Sequence, residues 1–358
     1  MKNTIGWFAV AAIVAAIVIV ACSGRGTQVV GEPTLPGPAS YAGLLPNTIP
    51  TVPPGVVTEF PIPTASSGPA YITSAGGDLW FTEEQVDKVG RITTAGVITE
   101  FSAGTGIGPY DIITGPDGHP WFGAVTAEAL GRVNSNGVVT LVPIPTASAH
   151  PEQLVADKPH NSIWFAERQG QKIGVYNLTT KLITEYAAPI PSRPTGIALD
   201  NSGNIWFSDW LNDQVDEMSN TGTILHQLAL PGSNGPASLG AWYMTLGKDG
   251  DLWLTEYSGG PKFKGAVARI DPLTLVITTF IPHGPGPSAL GLATGPKGIW
   301  LPPEGGGQLV RVSPTGAFKE WVIPGSGGYG IVDGPDKNIW FVDYNTNQIA
   351  QVKVGLLP

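Results

Sequence analysis

The sequence contains few charged residues and almost no cysteine. Charged side chains make up 13% of the 358 residues, and no apolar stripe of helical period follows the first 22 residues, so helical domains are not expected. Lys and Arg form no cluster and the formal net charge is −9, which argues against a nucleic-acid partner. Cys22 is the single cysteine, so no internal disulfide can form and stability must come from packing.

Turn-forming residues are abundant instead. The chain contains 48 Gly and 34 Pro, and they are spread evenly among Val, Ile, Thr and aromatic residues. This composition is typical of many short strands separated by turns. We therefore expect an all-β protein.

The N-terminus has the layout of an export signal. Lys2 precedes an apolar run from Ile5 to Ala21, and the four residues ending in Cys22, "IVAC", resemble a bacterial lipobox. This predicts a signal peptide over residues 1–22, cleavage before Cys22 and lipid attachment to its thiol; the alternative is an uncleaved membrane anchor. Either way, we expect an exported protein tethered to the bacterial cell envelope. Residues 23–55, rich in Gly, Pro, Ser and Thr, read as a flexible linker.

Seven copies of one pattern fill the rest of the chain. Each copy has a Trp after Leu, Ile or Pro, at spacings of 40 to 47 residues, and four strand candidates separated by turn signals such as "GPDG" and "NSNG". Four antiparallel strands in each of seven repeats predict a seven-bladed β-propeller over residues 56–354, followed by a tail over 355–358. The seven residues are Trp80, Trp121, Trp164, Trp206, Trp253, Trp300 and Trp340. Rings that recur once per blade are expected to pack between sheets.

The outer strands predict how the ring closes. A "VITEF"-like segment follows each of the first six Trp residues, at 97–101, 138–142, 182–186, 224–228, 276–280 and 317–321. No such segment follows Trp340, yet "VVTEF" at 56–60 precedes the first repeat. We therefore expect residues 56–60 to supply the outer strand of the last blade and leave no unpaired edge.

Antiparallel pairing places the start of the first strand and the end of the second at one end of the channel. Side chains at the first strand's start that suit a ligand with apolar or aromatic parts are Tyr110, Glu152, Trp242 and Tyr329. Three residues after the blade Trp, five of seven positions carry a carboxylate: Glu83, Glu167, Asp209, Glu256 and Asp343. Pointing at one funnel, these acids would need a cation such as Mg²⁺ or Ca²⁺. The alternative is that each acid caps backbone amides or pairs with a recurring arginine (Arg91, Arg132, Arg269, Arg311).

Three quoted segments, "IWFAE" (163–167), "VGRITTAGVITEF" (89–101) and "PTGIALDNSGNIWFSD" (194–209), resemble the virginiamycin B lyase (streptogramin B lyase) family, over about 55–354. The resemblance implies a propeller and a Mg²⁺-dependent enzyme that opens a cyclic depsipeptide by elimination at its ester. The family's base is the His of an "E-P-H-G-I" segment, with metal-binding Glu two positions earlier and in a later "W-F-x-E". These positions hold Tyr329, Gly327 and Asp343 here, so only a carboxylate at 343 is retained.

Two of the five histidines, His150 and His283, lie in connections that could reach the same rim and are the candidate bases.

Three functions remain open. The first is a monomeric, tethered propeller that binds a small-molecule or peptide ligand at the acidic and aromatic rim. The second is an active Mg²⁺-dependent lyase using displaced residues. The third is a metal-dependent lactone hydrolase of the gluconolactonase type.

Overall fold

The computed structural model describes residues 49–231, 240–257, 265–281, 290–304 and 307–358. Within these ranges the chain forms seven four-stranded antiparallel sheets. The predicted signal segment, Cys22 and His283 lie outside the described residues, as do residues 23–48 of the predicted linker. No helix in the described ranges is long and apolar enough to cross a membrane.

Blades one to three take their strands in chain order, from the inner strand outward. Strands β2 to β5 are Pro69–Ala75, Asp78–Glu83, Lys88–Ile92 and Ile98–Ser102. Strands β6 to β9 are Pro109–Thr114, Pro120–Ala124, Ala129–Val133 and Val139–Pro143. Strands β10 to β13 are Pro151–Asp157, Ser162–Glu167, Lys172–Asn177 and Leu182–Ala187. A short 3-10 turn, Glu84–Val86, follows β3.

Blades four to six repeat this order. Strands β14 to β17 are Pro194–Leu199, Ile205–Asp209, Gln214–Met218 and Ile224–Ala229. Strands β18 to β21 are Gly240–Leu246, Leu252–Tyr257, Ala266–Asp271 and Val276–Phe280. Strands β22 to β25 are Ala293–Gly295, Gly298–Glu304, Gln308–Val312 and Phe318–Val322.

The seventh blade is built from both ends of the propeller. Its inner strands are β26 to β28, Ile331–Asp333, Ile339–Asp343 and Gln348–Val352, and a 3-10 turn, Val354–Leu356, follows. Strand β1, Val57–Pro61, pairs antiparallel with β28 from Val57 opposite Val352 to Pro61 opposite Gln348. The predicted closure by the leading segment is confirmed, and no edge of the last sheet is left open at the seam.

Residues before the predicted boundary at residue 56 also contact the propeller. Thr51 forms a parallel bridge with Val322 of β25. The Val52 amide donates to the Val322 carbonyl and the Val322 amide donates to the Pro50 carbonyl, both at 2.9 Å. Residues 50–52, predicted as part of the flexible linker, therefore line the outer edge of blade six before β1 completes blade seven.

The recurring tryptophans pack in the core, as the sequence predicts. Most are fully buried, and several stack on an aromatic residue of the outer strand, as Trp80 does on Phe101 at 5.6 Å. In five blades a turn carboxylate accepts a hydrogen bond from the indole nitrogen. The acceptors are Asp117, Asp157, Asp200, Asp249 and Asp336. The ring is thereby held in one orientation while its polar atom is satisfied.

The recurring arginines belong to the same structural unit. Arg132 lies over the Trp121 ring at 6.0 Å and pairs with Asp117 at 2.7 Å. An arginine lies in the same way over the rings of Trp80, Trp253 and Trp300. The alternative that these arginines neutralise the five repeated carboxylates is therefore wrong. All four lie over Trp rings, and the acidic partners of three of them are Asp78, Asp117 and Asp251.

Candidate ligand-binding site at the channel mouth

A β-bulge shapes the channel end of the inner strand in five blades. In the first blade, Pro69 lies opposite Glu83 and Ile72 opposite Phe81, so Ala70 and Tyr71 share one partner, Thr82. Bulges re-aim side chains away from the regular alternation of a strand. The residue pairs in the five bulges are Ala70–Tyr71, Tyr110–Asp111, Glu152–Gln153, Thr195–Gly196 and Trp242–Tyr243.

Three tyrosines meet on the channel axis. The ring of Tyr71, from blade one, stacks on that of Tyr243, from blade five, with centroids 4.8 Å apart and planes at 6°. Tyr110, from blade two, meets Tyr71 edge-on at 5.0 Å. All three rings are buried, and burial raises the pKa of each hydroxyl. Because blades one and five are not neighbours in the ring, the contact between Tyr71 and Tyr243 reaches across the space between the inner strands, and we call the three rings the tyrosine floor of the mouth.

Two polar residues below this floor tie the blades together. The Gln153 amide oxygen accepts from the Ile197 and Met244 backbone amides, and its nitrogen donates to the Met244 carbonyl. Asp111 accepts from the Leu154 amide at 2.7 Å. Burial raises the Asp111 pKa to about 7, although the Tyr243 hydroxyl and backbone amides oppose the shift. Both side chains have structural partners in neighbouring blades.

An ion pair between His150 and Glu152 lies at the mouth. His150 Nδ1 is 3.1 Å from Glu152 Oε2, and the His150 backbone amide donates to Glu128 at 2.7 Å. Burial alone would lower the His150 pKa, but the Glu152 carboxylate outweighs it, so the net pKa is raised. Across the mouth, burial and then the charge of Glu152 raise the pKa of Glu84. Three titratable groups, His150, Glu152 and Glu84, therefore lie close enough at the mouth for their charges to interact.

A cation lies within cation–π distance of two indole rings beside this pair. The guanidinium carbon of Arg168 is 5.2 Å from the Trp242 ring centroid and 5.8 Å from that of Trp210. The Arg168 residue is 8% exposed. In the described part of the chain, its Nε and Nη2 atoms contact no hydrogen-bond acceptor. This is an unusual state for a buried charge, because such groups are normally paired.

The seventh blade completes the mouth. Tyr329 lies 5.3 Å from Tyr344, ring to ring, and the Tyr344 hydroxyl accepts from the Gln85 amide of the first blade at 2.6 Å. A Cβ at Gly327 would lie 2.1 Å from the Asn345 Nδ2 atom. Asn345 therefore fills the space that a glutamate side chain at position 327 would need.

Two of the five repeated carboxylates lie in matching surroundings within their own blades, and their oxygens accept no hydrogen bond in the described part of the chain. Glu83 faces Glu100, which accepts from the Thr64 amide at 3.0 Å and pairs with Lys88 at 3.5 Å. Blade three reproduces this arrangement with Glu167, Glu185, Thr146 and Lys172. Burial and then the facing glutamate raise the pKa of both Glu83 and Glu167 to about 8.

The other three carboxylates are also held within or beside their own blades. Glu256 accepts from Thr279 at 3.3 Å, and burial raises its pKa to about 7. Asp209 accepts from the Arg193 amide and from Asn212. Asp343 accepts from Ser326 and the Gly327 amide. Among the described residues no three His, Cys, Asp or Glu side chains are grouped to hold a metal, so metal binding stays a prediction.

The functional side chains that sequence reasoning missed lie one residue further along. Glu84, Arg168, Trp210 and Tyr344 each follow directly after a predicted carboxylate, four positions beyond the blade Trp. Successive side chains of a strand point to opposite faces. Two neighbouring residues at a strand end can therefore differ, one lying inside the blade and the next at the mouth. Applying this alternation to the strand ends would have identified them.

The opposite end of the channel holds a cavity of about 580 Å³, lined by Asp157, His160, Asp200 and neighbours. Its carboxylates are occupied: Asp157 lies 2.9 Å from His160 and Asp200 accepts backbone amides. His226 lies on the outer strand β17 and pairs with Glu217 at 2.6 Å. We place the candidate site at the aromatic mouth because a buried cation lacks acceptors there.

The fold is a seven-bladed β-propeller, and one end of its inner strands brings aromatic and charged side chains together. The model of the virginiamycin B lyase family matches residues 47–239. The chain belongs to this family.

Its relatives share this architecture. The chain is 27% identical over 201 residues to a virginiamycin B lyase of Nocardia farcinica, a match over 55% of this chain and 64% of that protein. A streptogramin B lyase structure is 26% identical with a TM-score of 0.73, covering 82% of this chain and 96% of the other. The catalytically inactive virginiamycin B lyase of Staphylococcus aureus with quinupristin gives the same identity and TM-score, covering 82% and 98%.

Proposed function

We propose that this protein is an exported, envelope-anchored member of the family that binds a small-molecule or peptide ligand at the channel mouth without the family's chemistry. The proposal rests on two features together: a channel mouth whose lining suits a ligand, and Tyr329 at the position of the family's base. Tyrosine ordinarily titrates near 10 and is a poor general base at neutral pH. Asn345 beside Gly327 supports the same conclusion, since it takes the space of the family's glutamate.

The lining favours a ligand with aromatic or apolar parts and a few polar groups. Trp210, Trp242, Tyr329 and Tyr344 offer ring faces or edges, while Glu152 and Arg168 offer charge. Sites of this composition gain affinity from apolar burial and orientation from a small number of polar contacts. The tyrosine floor keeps the site a cup rather than a pore.

Calorimetric titration of the full chain with quinupristin tests the proposal. We expect binding that weakens about tenfold in Trp210→Leu, because loss of an aromatic contact costs about 1 kcal/mol or more. Glu152→Gln should weaken it as well. His160→Gln, at the opposite end of the channel, is the matched control and should bind as the wild type does. Absence of binding, or equal loss in His160→Gln, would overturn the proposal.

One observation favours an active lyase as the second candidate. His150 is oriented by the Glu152 carboxylate at 3.1 Å, and a histidine oriented in this way is the usual form of a general base. In this alternative the displaced base removes the proton that the family's histidine would remove. His150→Gln should then abolish ring opening while leaving quinupristin binding within about threefold, since one polar contact contributes little.

A further inference from the structure

The unpaired edge of Arg168 indicates which chemical group on a ligand the mouth would favour. The two atoms without acceptors are Nε and Nη2, which donate parallel N–H bonds along one edge of the guanidinium. A carboxylate accepts from such an edge with both oxygens at once. Trp210 and Trp242 lie 5.8 and 5.2 Å from the guanidinium carbon, and the Nε–Nη2 edge is the part without an acceptor.

The backbone holds Arg168 in this position. Its amide donates to the His150 carbonyl at 3.2 Å, and the next two amides, of Gln169 and Gly170, both donate to the Ala149 carbonyl at 3.3 Å. The loop after β11 is therefore fixed to the loop before β10. The Trp210 ring is held in turn against Gly240, where a Cβ would lie 2.3 Å from its Cδ1 atom. The cation and its flanking rings are thus built into the mouth.

The local charge balance leaves the cation uncompensated. His150 Nδ1 lies 3.1 Å from Glu152 Oε2, so this carboxylate has another cationic partner when His150 is protonated. Within the described ranges, Arg168 forms no ion pair within 4.0 Å. Burying a charge without a partner is costly, and a ligand that brings the partner recovers that cost on binding.

We propose that Arg168 binds the carboxylate of the ligand side-on, and that the ligand class is an aromatic carboxylate such as the C-terminal residue of a linear peptide. The aromatic group packs against Trp242 and the tyrosine floor. Since both donors are shielded from water in this structure, Trp210, the more exposed of the two indoles, moves to admit the carboxylate. This inference rests on the proposed function of the mouth.

A matched pair of probes tests it on the full chain. N-acetyl-L-phenylalanine and its amide differ only in the carboxylate, and titration is followed by tryptophan fluorescence and calorimetry. We expect the acid to bind at least about tenfold more tightly than the amide, the difference that a bidentate charged contact makes. We also expect a fluorescence change with the acid as Trp210 moves. Equal binding of acid and amide overturns the inference but leaves the mouth a ligand site; binding of neither overturns both.

Variants then locate the carboxylate. Arg168→Met should remove the preference for the acid, and Arg168→Lys should reduce it to less than about threefold, because lysine keeps the charge but loses the fork. Arg193→Met is the control: this arginine lies against the same Trp210 ring at 5.5 Å, and its loss should leave the preference intact. Retention of the preference in Arg168→Met contradicts the proposal. The benzylphosphonate analogue carries a tetrahedral anion in place of the planar carboxylate. If it binds more strongly than the acid, the proposed carboxylate site is contradicted.

Discussion

Glu83 and Glu84 are neighbours in the chain, yet they face different surroundings. Glu83 is completely buried and faces Glu100 within its own blade. Glu84 begins the turn after β3 and senses His150 and Glu152 of blade three. Two consecutive residues therefore have different surroundings: the Glu83 carboxylate lies within its own blade, and the Glu84 carboxylate lies at the mouth. The same division recurs at Glu167 and Arg168 in blade three.

The buried carboxylates predict that stability declines between about pH 4.5 and pH 8. Glu83 and Glu167 have folded-state pKa values of about 8, above the ordinary value of 4.5. A raised pKa contributes stability that is fully present below the unfolded pKa and is lost as pH rises through the folded pKa. Glu83→Gln and Glu167→Gln mimic the protonated form. Each should match the wild type near pH 4 and exceed it by on the order of 2 kcal/mol above pH 8.

Thermal melts of these variants at pH 5, 7 and 9 provide the measurement. Glu59→Gln removes an exposed carboxylate from β1 and serves as the control for a change in net charge. A pH-independent difference between wild type and Glu83→Gln would show that Glu83 is ionised throughout, contrary to its surroundings.

The closure of the ring predicts a distinctive response at the seam. Phe60 of β1 stacks on Trp340 with centroids 5.6 Å apart and planes at 16°. Phe60→Ala should cost about 1–3 kcal/mol and lower the hydrogen-exchange protection of both β1 and β28. Phe101→Ala removes the equivalent ring from Trp80 in a blade made of consecutive strands. It should cost a similar amount without exposing the seam; loss of protection at the seam in both variants would contradict this account.

Sequence periodicity determined most of the fold but not the direction of individual side chains. The spacing of Trp80 to Trp340 gave the blade number, and the stray segment at 56–60 gave the closure, because both depend on strand order alone. The structure brings His150 to 3.1 Å from Glu152 and places Trp242 beside Arg168, while the roles of these predicted residues stay predictions. Glu83 and Glu167 face a second glutamate of their own blades, a detail that strand order alone does not predict because inner-strand bulges shift the alternation by single residues.

Metal binding can be assigned to the mouth or to the blades by mutation. We expect any rise in melting temperature with Mg²⁺ or Ca²⁺ to survive in Glu256→Ala and Asp343→Ala, because these carboxylates are engaged by Thr279 and by Ser326. Glu152→Gln should remove the rise, since Glu152 and Glu84 supply the facing oxygens at the mouth. Loss of the rise in Glu256→Ala would instead support the original prediction of a carboxylate ring.

The predicted lipid anchor at Cys22 can be tested directly. Expressed in a bacterial host, the full chain should fractionate with membranes, and mass spectrometry of its N-terminal peptide should show a lipid on Cys22 after loss of residues 1–21. Cys22→Ser should abolish the lipid. An unlipidated wild-type chain that keeps its first 21 residues would favour the uncleaved anchor instead.

The fate of a streptogramin B such as quinupristin, incubated with the full chain and Mg²⁺, tests the central claim most directly. Elimination yields a linear isomer of unchanged mass and different chromatographic retention, whereas hydrolysis adds one water. With Tyr329 in place of the family's histidine, we predict that liquid chromatography and mass spectrometry recover the compound intact. A linear isomer that accumulates with time and disappears with His150→Gln would contradict the account and establish the lyase.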